Sequence, residues 1–465
     1  MFNIMILVFV LGYIAIALEH PFRINKTAPA LFIGTALWAI YILGAPSILA
    51  LGHSTSWAEF SKNFTDGITT EHIHDFFASE LIEHLGETAE ILFFLLGAMT
   101  IVETIDRHHG FSIITNHIQT KSKVKLLWIL CVLTFFMSAI LDNLTTTIVV
   151  ITLLHKLVAD QKTRWFYASM VVIAANAGGT WSPIGDVTTI MLWIGGQVTT
   201  IKIITEVFLP SVICLCVPLA IVSFMLKGEI ERPVEDESNK SEITTSPRTQ
   251  RIMLILGVSG LIFVPIFKTI THLPPYLGML FSLSIIWAVT ELIHKNHTSA
   301  IKNKLCPTAL LQRVDTPTIL FFLGILMGVA ALQSAGHLTL MSNSLDYTFK
   351  DVMGGVYIID LIIGVLSSIV DNVPLVAGAM GMYPIESADA VGYAANFVQD
   401  GVFWEFLAYT AGTGGSMLII GSAAGVAAMG LEKIDFIWYV KHISLLAFLG
   451  YIAGAAVYIL QLSIL

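Results

Sequence analysis

The stretch Ser138-Ala139-Ile140-Leu141-Asp142-Asn143 occurs twice in this chain, and its second copy reads Ser367-Ser368-Ile369-Val370-Asp371-Asn372. Each copy places a carboxylate and a carboxamide in the middle of an otherwise apolar run that has the character of a membrane span. An Asp at the centre of a bilayer costs about 2.5–3.5 kcal/mol on insertion scales, so an acidic residue there usually has a function. The two copies therefore predict two related halves of one buried ion site.

The composition indicates a polytopic helical membrane protein. The chain has 465 residues, of which 55% are hydrophobic and 12% charged, whereas about 25% of a soluble domain is charged. A net charge of −9 excludes a generally basic nucleic-acid binder, so the lipid bilayer is the expected partner. The four cysteines have neither metal-ligand nor disulfide-framework spacing, and no cofactor is expected. The run 1–18 lacks a basic n-region and is predicted to be a span rather than a cleaved signal.

Apolar runs long enough to cross a bilayer need about 20 residues each. They predict spans at 1–18, 28–48, 88–106, 165–200, 203–226, 251–268, 274–294, 316–335, 402–430 and 436–462. Glycines break the spans 165–200 and 402–430. The stretches 124–158 and 354–382 are interrupted at Asp-Asn and are predicted to be re-entrant helical hairpins, since non-helical backbone at membrane depth is tolerated only where protein or a wet cavity covers it.

Similar motifs occur in the same order in the first and second halves of the chain. Glu87–Leu95 matches Asp315–Leu323 at six of nine positions, and Gly178-Gly179-Thr180 with Gly185 aligns with Gly414-Gly415-Ser416 with Gly421. The predicted fold class is therefore an all-α polytopic membrane protein with two inverted-topology repeats, 1–226 and 251–465, joined by a cytoplasmic linker at 227–250. Each repeat has five spans and one hairpin, with broken helices at mid-membrane.

Loop charges predict the orientation. Since five spans is an odd number, the second repeat enters the membrane upside down relative to the first. Under this assignment the loops of one side hold 19 of the 24 Lys and Arg residues. The positive-inside rule makes that side cytoplasmic and places both termini outside.

The hairpin tips carry the candidate cation ligands. A helix that ends at mid-membrane presents free carbonyl oxygens, and carboxylate, amide and hydroxyl oxygens complete a cage that suits Na⁺. The tips offer Ser138, Asp142, Asn143, Thr145, Ser367, Ser368, Asp371 and Asn372. Na⁺ is expected at the two Asp-Asn pairs. The alternative is that these polar residues cap the ends of broken helices.

The broken spans offer the other wall of the site. Their candidates are Asn176, Gly178, Thr180, Thr413 and Ser416, because small residues and unwound turns let the tips approach. Asp186, with Thr188, adds a third embedded carboxylate whose counterpart in the second repeat is Ser422. Asp186 fits a proton-coupled carrier or, alternatively, a gate or helix cap.

The acidic, histidine-containing segment 49–86 is predicted to be a surface loop with short amphipathic helices, although a pH sensor or a metal patch also fits its histidines. Glu87 follows that segment and is the acid expected to line an access path.

Competition at the buried carboxylates predicts exchange. A buried Asp can bind H⁺ or Na⁺, whereas neither the empty charged state nor double occupancy is favourable. Alternation of the two ions at one site then moves them in opposite directions.

The motifs Ser138-x-x-x-Asp142-Asn143-Leu144-Thr145, Gly178-Gly179-Thr180-Trp181-Ser182-Pro183-Ile184-Gly185-Asp186 and Asp371-Asn372-Val373-Pro374 resemble the NhaD-type sodium/proton antiporters of the ion transporter superfamily. The resemblance covers essentially the whole chain. It implies export of Na⁺ and Li⁺ in exchange for H⁺ at alkaline pH in a bacterial inner membrane. It also implies a homodimer in which the early spans form a scaffold, while the hairpins and broken spans form an elevator-like transport domain.

The alternative reading is a Na⁺-coupled organic-anion carrier, dicarboxylate- or citrate-like, of the same superfamily. Dicarboxylate carriers that resemble this chain have Ser-Asn-Thr at the tips, whereas here an Asp precedes each Asn and no Lys or Arg lies near either tip. A channel or receptor does not explain two inverted half-sites. An enzyme is not expected, since the spans carry no nucleophile–base pair.

Overall fold

The structure is a computed structural model of the whole chain. It describes residues 1–464 except 18, 20–23, 65–67, 116, 117, 119, 227, 232–244 and 296–304. Most of the predicted linker 227–250 therefore lies outside the described residues. In the described part the regular elements are helices, and β-pairing is limited to isolated bridges.

The helices of the first half of the chain are, in order, α1 (Phe2–Ala17), α2 (Thr27–Leu43), α3 (Ala45–Leu49), α4 (Thr55–Ser61), α5 (Thr70–Arg107), α6 (Ser112–Thr115), α7 (Lys123–Leu141), α8 (Asn143–Leu157), α9 (Gln161–Thr180), α10 (Val187–Ile194) and α11 (Thr200–Met225). Those of the second half are α12 (Pro247–Thr271), α13 (Pro275–His294), α14 (Pro307–Leu310), α15 (Thr316–Ser334), α16 (His337–Phe349), α17 (Gly355–Leu366), α18 (Asn372–Met382), α19 (Val402–Gly414), α20 (Ala423–Glu432), α21 (Phe436–His442) and α22 (Ser444–Ile464).

Among the described helices, seven are long and apolar enough to cross a membrane, namely α5, α7, α11, α12, α13, α15 and α22. Shorter apolar helices include α1, α2, α8, α17, α18 and α20. The chain is thus an all-helical, multi-pass membrane protein, as its composition predicts.

Four helix breaks occur where Asp-Asn or Gly-Gly interrupts an apolar run. Helix α7 ends at Leu141 and α8 begins at Asn143, while α17 ends at Leu366 and α18 begins at Asn372. The long apolar runs 165–200 and 402–430 likewise contain two helices each, α9 with α10 and α19 with α20. Each break ends the backbone hydrogen-bond ladder and exposes polar main-chain groups.

The third span begins much earlier than the sequence predicts. Helix α5 runs without a break from Thr70 to Arg107, so the prediction of a surface loop is wrong for residues 70–86. Its 38 residues measure about 57 Å, well beyond a hydrocarbon core of about 30 Å. Glu87 therefore lies inside a helix, where its side chain is 70% exposed and its Oε2 lies 3.4 Å from Nδ1 of His84.

The chain forms two compact units, and each takes segments from both predicted repeats. The first unit comprises Met1–Phe93, Asp315–Ile359 and Val373–Val398. Its centre is the crossing of α2 and α15, where a Cβ added to Gly34 would lie 2.6 Å from the carbonyl oxygen of Gly324. The helix backbones therefore touch, as small residues allow in membranes. Near this crossing the Tyr41 hydroxyl donates to the Ser334 carbonyl at 2.9 Å.

The second unit comprises Phe94–Val314, Asp360–Asn372 and Gln399–Leu465. Its central element is α9, whose residues are all buried from Tyr167 to Thr180. A helix that is buried on every side belongs to the interior of a bundle. Helices α7, α8, α11, α19 and α20 contact it, and these contacts bring the helix breaks together.

Candidate functional site

Three helix N-termini at the breaks of the second unit are capped by acidic or hydroxyl side chains. Asp142 has φ 82° and caps α8, where its carboxylate accepts the Thr145 backbone N–H at 2.8 Å and the Thr145 hydroxyl at 2.7 Å. Asp186 caps α10 and accepts the Thr188 backbone N–H at 3.0 Å. Ser422 caps α20 in the same way. Such caps satisfy the first N–H groups of a helix and place negative charge at the positive end of its dipole.

Asparagines from two different breaks converge on Asp186. Nδ2 of Asn143 donates to Oδ2 of Asp186 at 2.8 Å, and Nδ2 of Asn372 lies 3.5 Å from both carboxylate oxygens. All three side chains are buried, with Asp186 only 1% exposed. Asp186, which the sequence suggested only as an additional embedded carboxylate, therefore lies between the beginnings of α8 and α18.

Asn176 of α9 extends this network to the break between α19 and α20. It accepts from Nδ2 of Asn143 at 3.1 Å and donates to the hydroxyls of Ser416 and Ser422, each at 2.9 Å. We call these residues the polar cluster: Asn143, Asn176, Asp186, Asn372, Ser416 and Ser422. Its members come from four helix breaks and from the one helix that contacts α7, α8, α19 and α20.

The cluster is acidic. The charges of Asp371 and Asp142 both act on Asp186, so three carboxylates share one electrostatic environment. The sequence has no Lys or Arg in 126–155, 165–201 or 351–432, the stretches that carry the cluster. A buried carboxylate with further negative charges nearby, in stretches that carry no Lys or Arg, favours a cation or protons.

Several predicted ligands instead fix the backbone. The Ser138 hydroxyl donates to the Ala175 carbonyl at 2.6 Å, and the Ser367 hydroxyl donates to the Ala411 carbonyl at 2.7 Å. The remaining hydroxyls have local partners: Thr145 and Thr188 bond the caps Asp142 and Asp186, Thr180 contacts the Ala177 carbonyl and the Ser211 hydroxyl, Ser368 the Val365 carbonyl, and Thr413 the Tyr409 carbonyl. Apart from the bond of Thr188 to Asp186, these contacts lie outside the polar cluster, and they hold its elements in place.

Glycines let the broken helices approach each other in two matching sets. A Cβ on Gly178 would meet the carbonyl of Phe135, and one on Gly414 would meet the carbonyl of Gly364. A Cβ on Gly185 would lie 2.7 Å from the Ser138 carbonyl oxygen, and one on Gly421 would lie 2.7 Å from that of Ser367, the counterpart of Ser138. The aligned glycines thus make corresponding contacts in the two halves.

Sequence reasoning missed two members of this region. Ser422 was recognised as the counterpart of Asp186 but not as a partner of Asn176, and Ser211 was not singled out. The alignment contained the signal for Ser422, because a polar residue at a broken helix start faces the same way in both copies. The contact of Ser211 with Thr180 depends on how α11 packs on α9 and leaves no local pattern.

The chemistry of the cluster suits a hard monovalent cation. Carboxylate, amide and hydroxyl oxygens are the ligands that such ions take, and each Asn can rotate its amide to present either N–H or oxygen. Among the described residues no group of three or more His, Cys, Asp or Glu side chains could hold a metal ion. The cluster therefore differs from a transition-metal centre.

Known proteins similar to this chain are transporters. The family described as "Citrate transporter" matches residues 13–398. "Sodium/proton antiporter 1" of Arabidopsis thaliana is 44% identical over 98% of this chain and 72% of its own length, and "Sodium/proton antiporter 2" of the same plant is 41% identical over 98% of both. "Na(+)/H(+) antiporter NhaD" of Vibrio cholerae is 28% identical over 98% of this chain and 91% of its own length. The chain therefore belongs to the NhaD-type sodium/proton antiporters within the citrate transporter family.

Proposed function

We propose that this protein exchanges Na⁺, and also Li⁺, for H⁺ across a membrane, and that it binds the cation at the polar cluster around Asp186. The observation that carries the proposal is the convergence of Asn143 and Asn372 on one buried carboxylate, with Asp142 and Asp371 close enough to act on it. The relatives named as sodium/proton antiporters support the same activity.

Exchange follows from competition for the carboxylates. A cation at the cluster takes its charge compensation from Asp186 and its neighbours, whereas a proton neutralises one carboxyl instead. Because Asp186 is buried and the stretches that carry the cluster contain no Lys or Arg, leaving these carboxylates fully ionised is costly. Release of one ion therefore favours binding of the other, and no cofactor is required.

We further propose the architecture and the setting of this exchange. Two observations support the two inverted repeats, with re-entrant hairpins at 124–158 and 354–382. Ser138 and Ser367 make corresponding hydrogen bonds to Ala175 and Ala411, and Gly178 and Gly414 make corresponding close approaches to backbone carbonyls. The elevator-type movement, the homodimer, the bacterial inner membrane and the extracytoplasmic termini remain proposals from the resemblance and the loop charges.

A second candidate is a Na⁺-coupled carrier of organic anions, which the family description "Citrate transporter" favours. An anion with several carboxylates needs basic or dipolar partners, yet the cluster contains Asp186 and the stretches around it carry no Lys or Arg. The cation exchanger is therefore the better fit.

The two candidates give different results in everted vesicles that hold a pH gradient. Addition of Na⁺ or Li⁺ is expected to dissipate the gradient, while K⁺ leaves it intact, and citrate or succinate adds no sodium-dependent flux. Vesicles without the protein are the control. Uptake of labelled citrate that depends on Na⁺, without any cation-driven proton movement, would favour the anion carrier.

Asp142→Asn separates the charge of this residue from its capping role. Asn is as good an N-cap as Asp, so the hydrogen bonds with Thr145 can be retained while the negative charge is lost. We expect the variant to insert and fold normally but to lose Na⁺-dependent proton movement in proteoliposomes. Full activity would show that Asp142 only caps α8.

A further inference from the structure

Another buried carboxylate of the second unit lies apart from the polar cluster. Asp360 is on α17, the first arm of the predicted second hairpin, and is 0% exposed. Within the described part of the chain, neither of its carboxylate oxygens has a hydrogen-bond partner. Asp142, Asp186 and Glu405, by comparison, each accept at least one hydrogen bond.

Among the residues that the structure describes, the neighbours of Asp360 offer no compensating charge. Its charge acts on Tyr451 of α22, whose hydroxyl donates at 3.0 Å to the carbonyl of Leu361, the residue after Asp360. The other titratable groups next to Tyr451 are Tyr409 of α19, whose hydroxyl donates to the Tyr451 carbonyl at 2.7 Å, and Cys214 of α11. None of these groups is a cation. An ionised carboxylate at this position would lose its hydration without any compensating interaction, whereas a neutral carboxylic acid loses much less hydration free energy.

Helix α17, the arm that carries Asp360, packs closely against its neighbours. A Cβ on Gly364 would meet the Tyr451 hydroxyl and lie 2.7 Å from the carbonyl oxygen of Thr410, so α17 lies directly against α19 and α22. Six residues after Asp360 the helix ends, and the chain then reaches Asp371 and Asn372. Water can reach the carboxyl only if this arm separates from α19 and α22. Because burying the charged form is costly, the arm packs against α19 and α22 only when the Asp360 carboxyl is protonated.

We propose that Asp360 is a second proton-carrying carboxyl of the exchange cycle, because the arm can seat against α19 and α22 only when this side chain holds a proton. When the arm separates, the carboxyl releases its proton to the water on one side of the membrane, and it takes up a proton from the water on the opposite side before the arm packs again, so one proton crosses in each cycle. This role goes beyond the cation site and rests on the proposed function. The first hairpin lacks the acid: Cys131 lies seven residues before Ser138, as Asp360 lies seven before Ser367.

Two fluxes measured in proteoliposomes test the proposal. Exchange of external for internal Na⁺, followed with ²²Na⁺, needs only the cation site, whereas the number of H⁺ moved per Na⁺ also depends on the second proton carrier. We expect Asp360→Asn to keep Na⁺/Na⁺ exchange and to move fewer H⁺ per Na⁺ than the wild type. Cys131→Ser, the matched variant in the first hairpin, is expected to keep both fluxes, while Asp186→Asn is expected to lose both.

Infrared difference spectra and a conservative variant supply readouts that do not depend on transport by Asp360→Asn. The spectrum of wild type minus Asp360→Asn should contain the stretching band of a neutral carboxyl group, and Asp360→Glu should recover proton flux with a displaced pH profile. The proposal is overturned if folded Asp360→Asn moves protons with the wild-type ratio to Na⁺, if it loses both fluxes, or if the carboxyl band is absent. Failure of the wild-type protein to exchange Na⁺ for H⁺ would instead contradict the proposed function.

Discussion

Replacement of Asp186 by Asn is expected to abolish Na⁺-dependent proton movement while the protein still folds and inserts. Asn can cap α10 with its amide oxygen in the place of Oδ1, and Asn143 can rotate its amide so that its own oxygen accepts from the new Nδ2, so the start of the helix has little reason to change. The charge, however, is lost. A carboxylate and a cation in contact attract by about 4 kcal/mol at an effective dielectric constant of 20, which corresponds to roughly a thousandfold in affinity.

Equilibrium Na⁺ binding to the purified protein and Na⁺/H⁺ exchange in proteoliposomes measure this effect. The matched control is Asp160→Asn, because Asp160 caps α9 as Asp186 caps α10 and accepts the Thr163 backbone N–H at 2.8 Å. The hydroxyl and backbone N–H of Thr163 hold the pKa of this carboxyl below its usual value, and the group lies at the surface. Asp160→Asn should retain exchange. Equal Na⁺ affinity in wild type and Asp186→Asn would remove Asp186 from the site.

Replacement of Gly414 by Ala is expected to cause the other large loss. The added Cβ would meet the carbonyl oxygen of Gly364, a backbone atom that cannot move aside by a change of rotamer. Overpacking of a tight interior costs about 1–3 kcal/mol, and here it would also displace α17, which leads to the second tip. We expect a lower melting temperature in detergent and a loss of exchange. Gly178→Ala should behave alike, since its Cβ would meet the carbonyl of Phe135.

A second glycine serves as a control, because its replacement by Ala is expected to leave stability unchanged or to raise it. Gly430 is an exposed residue of α20, and a Cβ at that position meets nothing within 4 Å. Ala is favoured over Gly in a helix by about 1 kcal/mol, so Gly430→Ala should keep exchange and melt at the same or a slightly higher temperature. Equal melting temperatures for Gly414→Ala and Gly430→Ala would show that the close backbone contact at Gly414 does not limit which residue fits there.

The helix breaks could be predicted because their causes are local. Asp142 interrupts an apolar run with a residue that prefers an N-cap, and the pair Gly178-Gly179 followed by Pro183 cannot continue a regular helix. The start of α5 could not be predicted in this way. Residues 70–86 are polar and contain histidines, which suggests a loop, yet their helix is amphipathic and continues into the span.

The centre of the site could not be predicted because it depends on contacts between distant segments. Sequence identified Asp186 as an embedded acid, but its contacts with Asn143 and Asn372 join positions 43 and 186 residues away. Asp360 left no signal at all. A single acid in an apolar run looks the same whether it faces water, a partner or, as here, the interior without a hydrogen bond.

The backbone contact between α2 and α15 constrains what the first unit can do. Interfaces made of interdigitating side chains can shear, because rotamers readjust as the helices slide. At Gly34 and Gly324 no side chain stands between the two backbones, and Ile33 already fills the space above Gly328. A slip of even one helical turn would drive a branched side chain into a peptide group. This pair of helices therefore keeps a fixed register throughout any transport cycle and translates, if at all, as a single rod.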